Sequence, residues 1–146
     1  FAHMEEIDLC WRMQLEGWKV TVIPESMVYH LGGGTLPKNS PRKLYLNYRN
    51  NILLLDNNLA RTIGRRRAAL RIFCRKLLDG CSAMVYLLSF RMDFFRAVWR
   101  AHRDASRLIA EKRSGNDAPD SHGRHSVAGI YGGCMIPRAL LGIKIL

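Results

Sequence analysis

The sequence predicts an α+β chain that is mostly helical. Over most of residues 42–112, apolar side chains recur at intervals of three and four, which is the spacing of one helix face. Two short runs, 18–23 and 26–31, are extended in character and end near Pro24 and a glycine run, which favours a small two-stranded element. The chain contains no stretch of about 18 apolar residues, so no membrane-spanning helix is expected.

The N-terminal part is predicted to begin with a helix. Residues 5–16 have helical periodicity, and Gly17 is well placed to end that helix as its C′ glycine. The first strand follows directly and is closed by Pro24. Three glycines at 32–34 then interrupt regular structure, and residues 35–41 form a polar loop with two prolines.

Three more helices are predicted in the middle of the chain. They cover residues 42–59, 62–79 and 82–112, with Gly80 as the break between the second and third of them. The remaining residues, 114–146, are predicted to be a polar linker followed by an apolar tail.

The charge of the chain is strongly uneven. The formal net charge is +11, but residues 1–41 carry −2 and residues 42–113 carry +12. The acidic start and the basic middle are therefore expected to have different roles. The four cysteines form no C-x-x-C pair, which favours free thiols in a reducing compartment over a zinc site or a disulfide framework.

The acidic start is concentrated in the stretch HMEEIDLCWR, where Glu5, Glu6 and Asp8 occupy three of four positions. One interpretation is structural, because carboxylates at a helix N-terminus are stabilised by the helix dipole by about 0.3–1 kcal/mol each. The other is chemical, because a carboxylate that faces a cleft can act as a general base. Arg12 lies four residues after Asp8 and is predicted to pair with it.

Three motifs follow one another in a fixed order: HMEEIDLCWR, GWKVTVIPESMVYHLGGGT and KLYLNYRNN. In this order they resemble the C-terminal part of bacterial family-2 glycosyltransferases, inverting enzymes of the GT-A type that use nucleotide-sugar donors. The resemblance is strong over residues 1–60. Over residues 61–112 the only shared feature is the presence of basic amphipathic helices. The segment GIYGGCMIPRALLG weakly resembles the tail of some of these enzymes.

The resemblance implies catalytic roles for the acids. The second acid of the motif is the base that deprotonates the acceptor hydroxyl, and this position is Glu6, where the family usually has Asp. Glu5 is the alternative base. Asp8 would hold the motif or the acceptor.

The resemblance also implies a donor side. His30 would complete a site for a divalent metal, Mg²⁺ or Mn²⁺, although it could equally be a histidine satisfied at a strand end. The residues implied for binding the donor or its diphosphate are Arg12, Gly33, Gly34, Arg49 and Asn50. The structural alternatives are a helix-surface ion pair for Arg12, a flexible loop for the glycines, a solvated charge for Arg49 and a backbone bridge or cap for Asn50.

Three regions are expected, the first from the resemblance and the other two from the composition of the chain. Residues 1–60 would be the C-terminal part of an α/β GT-A catalytic domain, residues 61–113 a basic amphipathic region associated with a membrane, and residues 114–146 a linker and tail. The chain begins at Phe1 and contains no Asp-x-Asp motif, so we expect it to be part of a longer protein and inactive alone.

The function expected from the resemblance is inverting sugar transfer in the synthesis of a cell-surface polysaccharide or glycolipid. The partners would be a nucleotide-sugar donor, a saccharide or lipid-linked acceptor and an anionic membrane, at the cytoplasmic face of the bacterial inner membrane. The alternative is a non-catalytic, basic amphipathic membrane-binding module. The basic helices could also be ordinary core-facing helices with a solvated basic face. Nucleic-acid binding is not expected, because the aromatic residues of the basic helices lie at helical spacing beside aliphatic ones.

Overall fold

The structure, a computed structural model, describes residues 3–29, 37 and 39–114. These residues form four helices: α1 (Glu5–Leu15), α2 (Pro41–Ile63), α3 (Arg65–Leu88) and α4 (Met92–Ser114). The described part of the chain contains no strand, so its fold class is all-helical.

The α+β prediction, and with it the assignment to an α/β GT-A fold, is therefore wrong. Residues 18–23 and the described part of the second predicted strand, 26–29, make no ladder. Their apolar side chains face solvent, with Val22 88% and Tyr29 94% exposed. A strand needs a neighbouring strand for its backbone hydrogen bonds, and β-propensity mostly reports packing against such a neighbour. The residue pattern alone was therefore not enough to form a strand here.

The helix predictions hold with one correction at a boundary. α1 and α2 form where the periodicity predicted them, and Gly17 adopts the left-handed φ of 86° expected after α1. Gly80, by contrast, does not break a helix, because α3 continues through it to Leu88. The break lies at Ser89–Arg91, where Phe90 has a φ of 56°.

The second helix is the centre of the molecule, since it packs against α1, α3 and α4. It begins at Pro41 behind an N-cap, Ser40, whose hydroxyl oxygen accepts a hydrogen bond from the Lys43 backbone N–H at 3.0 Å. It packs most extensively against α4, whose buried residues are Ala97, Val98, Ala101 and Ala105. Alanines at that interface allow the helix axes to approach closely. The buried apolar residues of the described chain are Leu15, Ile52, Leu54, Leu59, Ala68, Ala83, Ala97, Val98, Ala101 and Ala105.

A polar cluster joins α3 to α4 inside this arrangement. Asp79 is 3% exposed, and its Oδ1 accepts a hydrogen bond from Arg75 Nε at 2.8 Å. Its other oxygen lies 3.3 Å from His102 Nε2. The Tyr48 ring contacts both partners, edge-on to His102 and beneath the Arg75 guanidinium. The ion pair with Arg75 makes burial of the carboxylate tolerable, because an unpaired charge there would be strongly destabilising.

None of the helices among residues 3–29 and 39–114 is both long enough and apolar enough to cross a bilayer.

Candidate active site on the first helix

The acid cluster forms the first turn of α1, as both interpretations of it required. Glu5, Glu6 and Asp8 lie in that turn, and no side chain caps the helix N-terminus. The two residues before it, His3 and Met4, have left-handed φ values of 76° and 73°. Such values are uncommon for residues other than glycine and store conformational strain, which in proteins is concentrated at functional sites.

Asp8 is used to hold α1 on the bundle. Its Oδ1 accepts a hydrogen bond from Asn58 Nδ2 of α2 at 2.7 Å, and its Oδ2 accepts one from Arg12 Nε at 2.8 Å. The predicted pair between Asp8 and Arg12 is therefore confirmed. Asn58 itself is 1% exposed, so Asp8 is the polar partner of a buried amide.

Two further side-chain contacts join α1 to the last turns of α2. The indole N–H of Trp11 donates to Thr62 Oγ1 at 3.0 Å. Arg61 donates to Glu16, just past the end of α1, at 2.7 Å. Leu15 is fully buried between these polar contacts.

Glu5 and Glu6 differ from Asp8 because both are exposed and neither has a hydrogen bond or ion pair with a described residue. Glu6 borders an open groove of about 370 Å³, and the other described residues that line it, Ile7, Cys10, Trp11 and Gln14, all belong to α1 as well. Glu5 does not line this groove. The groove therefore gives a structural difference between Glu6, which the resemblance places as the base, and Glu5, its alternative.

A chain of hydrogen bonds runs from the residue before Met4 to α4. The Asn50 amide donates to the His3 carbonyl at 3.0 Å and accepts from Arg49 Nε at 3.0 Å. Arg49 Nη1 donates to the Tyr45 hydroxyl at 3.3 Å. That hydroxyl donates to Asp104 Oδ2 at 2.9 Å. The motif that carries the acids is thus connected to the predicted diphosphate-binding residues by direct contacts.

The far end of this chain is a charged cluster on α2 and α4. The Tyr45 hydroxyl bond holds the pKa of Asp104 below its ordinary value of 3.8. Burial opposes this shift, and the neighbouring Arg103 and Arg100 add to it. The guanidinium groups of Arg49 and Arg100 both lie near the Tyr45 ring, 5.2 and 5.8 Å from its centroid.

No family model, curated protein or solved structure matches this chain. The resemblance to family-2 glycosyltransferases therefore rests on the order and spacing of the three motifs alone.

The described residues settle where most of the candidate site residues lie. The first three turns of α1 contain Glu5, Glu6, Asp8 and Arg12. Asn50 is 1% exposed and donates to the His3 carbonyl, which is the backbone bridge that its structural alternative predicted. Arg49 is reached from α1 through Asn50. His30, Gly33 and Gly34, which were predicted to bind the metal and the donor, lie outside the described residues.

Several residues of the site were not selected from the sequence. Asn58 contacts the candidate residue Asp8 from 50 positions away in the chain. Thr62 contacts Trp11, and Asp104 contacts the Tyr45 hydroxyl to which Arg49 donates. One signal was available, because a polar Asn58 interrupts the apolar face of α2 and a buried amide requires a partner. Nothing in the sequence indicated which acid would be that partner.

A divalent metal is implied by the resemblance, but the described residues do not supply a set of ligands for it. Within residues 3–29 and 39–114, no three His, Cys, Asp or Glu side chains are grouped so that they could hold a metal ion.

Proposed function

We propose that this chain takes part in glycosyl transfer from a nucleotide-diphosphate sugar to an acceptor hydroxyl, with Glu6 as the general base. The main support is the position of Glu6, which is exposed, has no partner among the described residues and borders a groove. The order of the three motifs supports the same proposal from the sequence. The acceptor would be a saccharide or a lipid-linked saccharide.

In the proposed step, the Glu6 carboxylate accepts the proton of the acceptor hydroxyl as that oxygen bonds to the anomeric carbon. The bond from this carbon to the diphosphate oxygen breaks at the same time, and the nucleoside diphosphate leaves with the bonding electrons. Attack from the face opposite the leaving group inverts the anomeric configuration. A base positioned in this way contributes about 10²–10⁴-fold to the rate.

The supporting parts of the site have separate tasks in this proposal. Asp8 positions α1 through Asn58, because its two oxygens are already used in hydrogen bonds. Arg49 and Arg12 would neutralise charge on the leaving diphosphate, for which a guanidinium is suited by its planar set of donors. The bond between Arg12 and Asp8 uses only Nε of the guanidinium. Asn50 positions Arg49.

The test is a transfer assay on the whole gene product that contains these 146 residues. A panel of nucleotide sugars is supplied with Mg²⁺ or Mn²⁺ and with a membrane extract as the source of acceptor, and release of nucleoside diphosphate is measured. The variant is Glu6→Gln, and the matched control is Glu5→Gln, the neighbouring exposed acid in the same helical turn. Glu6→Gln is expected to lower kcat by about 10²-fold or more with KM for the donor unchanged.

Glu5→Gln is expected to retain most activity, because Glu5 does not line the groove. Loss of activity in Glu5→Gln alone would transfer the base role to Glu5. Full activity in both variants would remove the acids of α1 from the chemistry and leave them as stabilisers of a helix N-terminus.

A further inference from the structure

The third helix exposes a continuous apolar face, which we call the α3 stripe. It consists of Leu70, Phe73, Leu77, Met84 and Leu88, at intervals of three, four, seven and four. Each of these side chains is between 52% and 74% exposed. At 1.5 Å per residue, the stripe is about 27 Å long. Contiguous exposed apolar patches of this kind mark contact surfaces in soluble proteins.

The stripe is not the face by which α3 packs into the bundle. The buried residues of α3 are Ala68, Asp79 and Ala83. With 3.6 residues per turn, these positions lie on the opposite side of the helix from the stripe. Helix α3 therefore has one face made for the bundle and a second, larger-residue face that no described element covers.

Three arginines stand at the N-terminal end of the stripe. Arg65, Arg66 and Arg67 are exposed, and none of them has an ion pair with a described residue. Arg66 and Arg67 lie four and three residues before Leu70, on the same face. Cations in a first helical turn are disfavoured by the helix dipole, and this turn contains no acid to offset them. An anionic partner would remove that cost.

The charge of the two basic helices decides between possible occupants of the stripe. Residues 65–114 contain 13 lysines and arginines and four acids, a formal excess of nine positive charges. A second copy of the chain would bring two such surfaces together and be repelled. An anionic lipid surface complements both the charge and the apolar face, since arginines can remain at the headgroups while apolar side chains enter the acyl boundary.

We propose that the α3 stripe is a docking face for an anionic lipid bilayer, with α3 lying along the surface. Phe90 adds an exposed aromatic side chain two residues beyond the end of the helix. Its side chain is 92% exposed, and its backbone has a left-handed φ of 56°, which is unfavourable for a side chain of this type. Arg91 next to it stacks on Phe94, 3.8 Å from the ring centroid, and adds a cation at that end. This inference does not depend on the proposed transfer activity.

The experiment is co-sedimentation of the 146-residue chain with vesicles. One set of vesicles is phosphatidylcholine mixed with phosphatidylglycerol, and the other is phosphatidylcholine alone. Binding is expected to be at least about tenfold tighter to the anionic vesicles and to weaken as salt is raised. Equal binding to both sets, or none to either, would overturn the proposal.

A matched pair of leucines tests the stripe itself. Leu77 and Leu9 have similar exposure, 56% and 51%, but Leu9 is on α1. Leu77→Glu is expected to weaken binding to anionic vesicles by about tenfold or more, whereas Leu9→Glu leaves it unchanged. Circular dichroism checks that both variants keep their helices. Equal binding by the two variants would overturn the proposal, as would a dimer in solution that Leu77→Glu abolishes, because the stripe would then be occupied by a second copy.

Discussion

At the scale of single residues, the acids of α1 differ more in their surroundings than in their sequence. Asp8 has both oxygens in hydrogen bonds, whereas Glu6, two positions earlier, has no partner among the described residues and borders a groove. A carboxylate held by two donors is suited to fixing geometry. One without a partner is able to take a proton from a ligand, which is why the proposal assigns the two acids different tasks.

The bond between Tyr45 and Asp104 predicts a pH dependence of stability. Because this bond lowers the pKa of Asp104 in the folded chain, its contribution is fully present above the ordinary value of 3.8 and is lost as pH falls through the lower folded value. Tyr45→Phe is therefore expected to destabilise the chain at neutral pH, and by less and less below about pH 4. Denaturant unfolding across pH measures this difference.

The control for that measurement is Tyr86→Phe. The Tyr86 ring packs on Phe94, 5.4 Å between centroids, and its hydroxyl makes no hydrogen bond with the described residues. It should show no such acid dependence. A constant difference between Tyr45→Phe and the parent chain at all pH values would mean that the hydroxyl bond does not favour the charged carboxylate.

At the scale of elements, α2 and α3 begin in opposite ways. The N-terminus of α2 has a serine cap and a proline in its first turn. That of α3 has no side-chain cap, a glycine before it and three arginines inside it. Helix α2 is thus stabilised by its own sequence, and α3 depends on what it contacts.

The two glycines of this region are expected to respond oppositely to alanine. Gly80 is exposed within α3, and an added Cβ would meet nothing within 4 Å, so Gly80→Ala should raise the free energy of unfolding by about 0.5–1 kcal/mol. Gly64, between α2 and α3, has φ 85° and ψ 154°, a region that is essentially limited to glycine. Gly64→Ala should lower the free energy of unfolding by about 1–3 kcal/mol.

Urea unfolding of the two variants and the parent chain gives both values. A loss of stability in Gly80→Ala would indicate that α3 is bent or broken at that position. An unchanged Gly64→Ala would indicate that the connection can adopt another backbone conformation at little cost.

At the scale of the whole molecule, stability is centred on α2. The buried apolar residues lie mainly on α2 and α4, whereas α1 contributes only Leu15. Residues 18–29 are largely exposed and have no ladder. Such a chain should open from its N-terminal part first, because separating α1 from the bundle exposes little buried apolar surface to water.

Hydrogen exchange followed residue by residue should therefore rank the helices. Backbone amides in the middle of α2, around Ile52 and Leu54, are expected to exchange slowest, those of α1 faster, and those of residues 18–29 fastest. Equal protection of α1 and α2 would instead show that α1 unfolds only together with the bundle.

The helices were largely predictable from the sequence, and the fold class was not. Periodicity located α1 and α2, and it located most of α3 and α4, because a helix satisfies its hydrogen bonds within itself. The strand predictions for residues 18–23 and for 26–29, the described part of the second run, failed because a strand depends on a partner that the local sequence cannot supply. The predicted helix break at Gly80 was wrong because a glycine weakens a helix by only about 1 kcal/mol, and the packing of α3 outweighs this cost.

The candidate site divides in the same way. The pair between Asp8 and Arg12 is local and was predicted from a spacing of four. The partners that reach across the chain, such as Asn58 for Asp8 and Asp104 for Tyr45, depend on how the helices pack and were missed. The resemblance had already placed Glu6 as the base and Glu5 as its alternative, and the groove adds a structural difference between the two acids.

The hydrogen bonds that join α1 to α2 also determine the orientation of Glu6. An apolar helix interface tolerates rolling, because dispersion contacts have no direction, and a roll by one residue turns a helix by about 100°. Asp8 and Trp11 are instead tied by directed bonds to Asn58 and Thr62. These two bonds fix the rotation of α1 about its own axis. They thereby fix the direction in which the Glu6 carboxylate points.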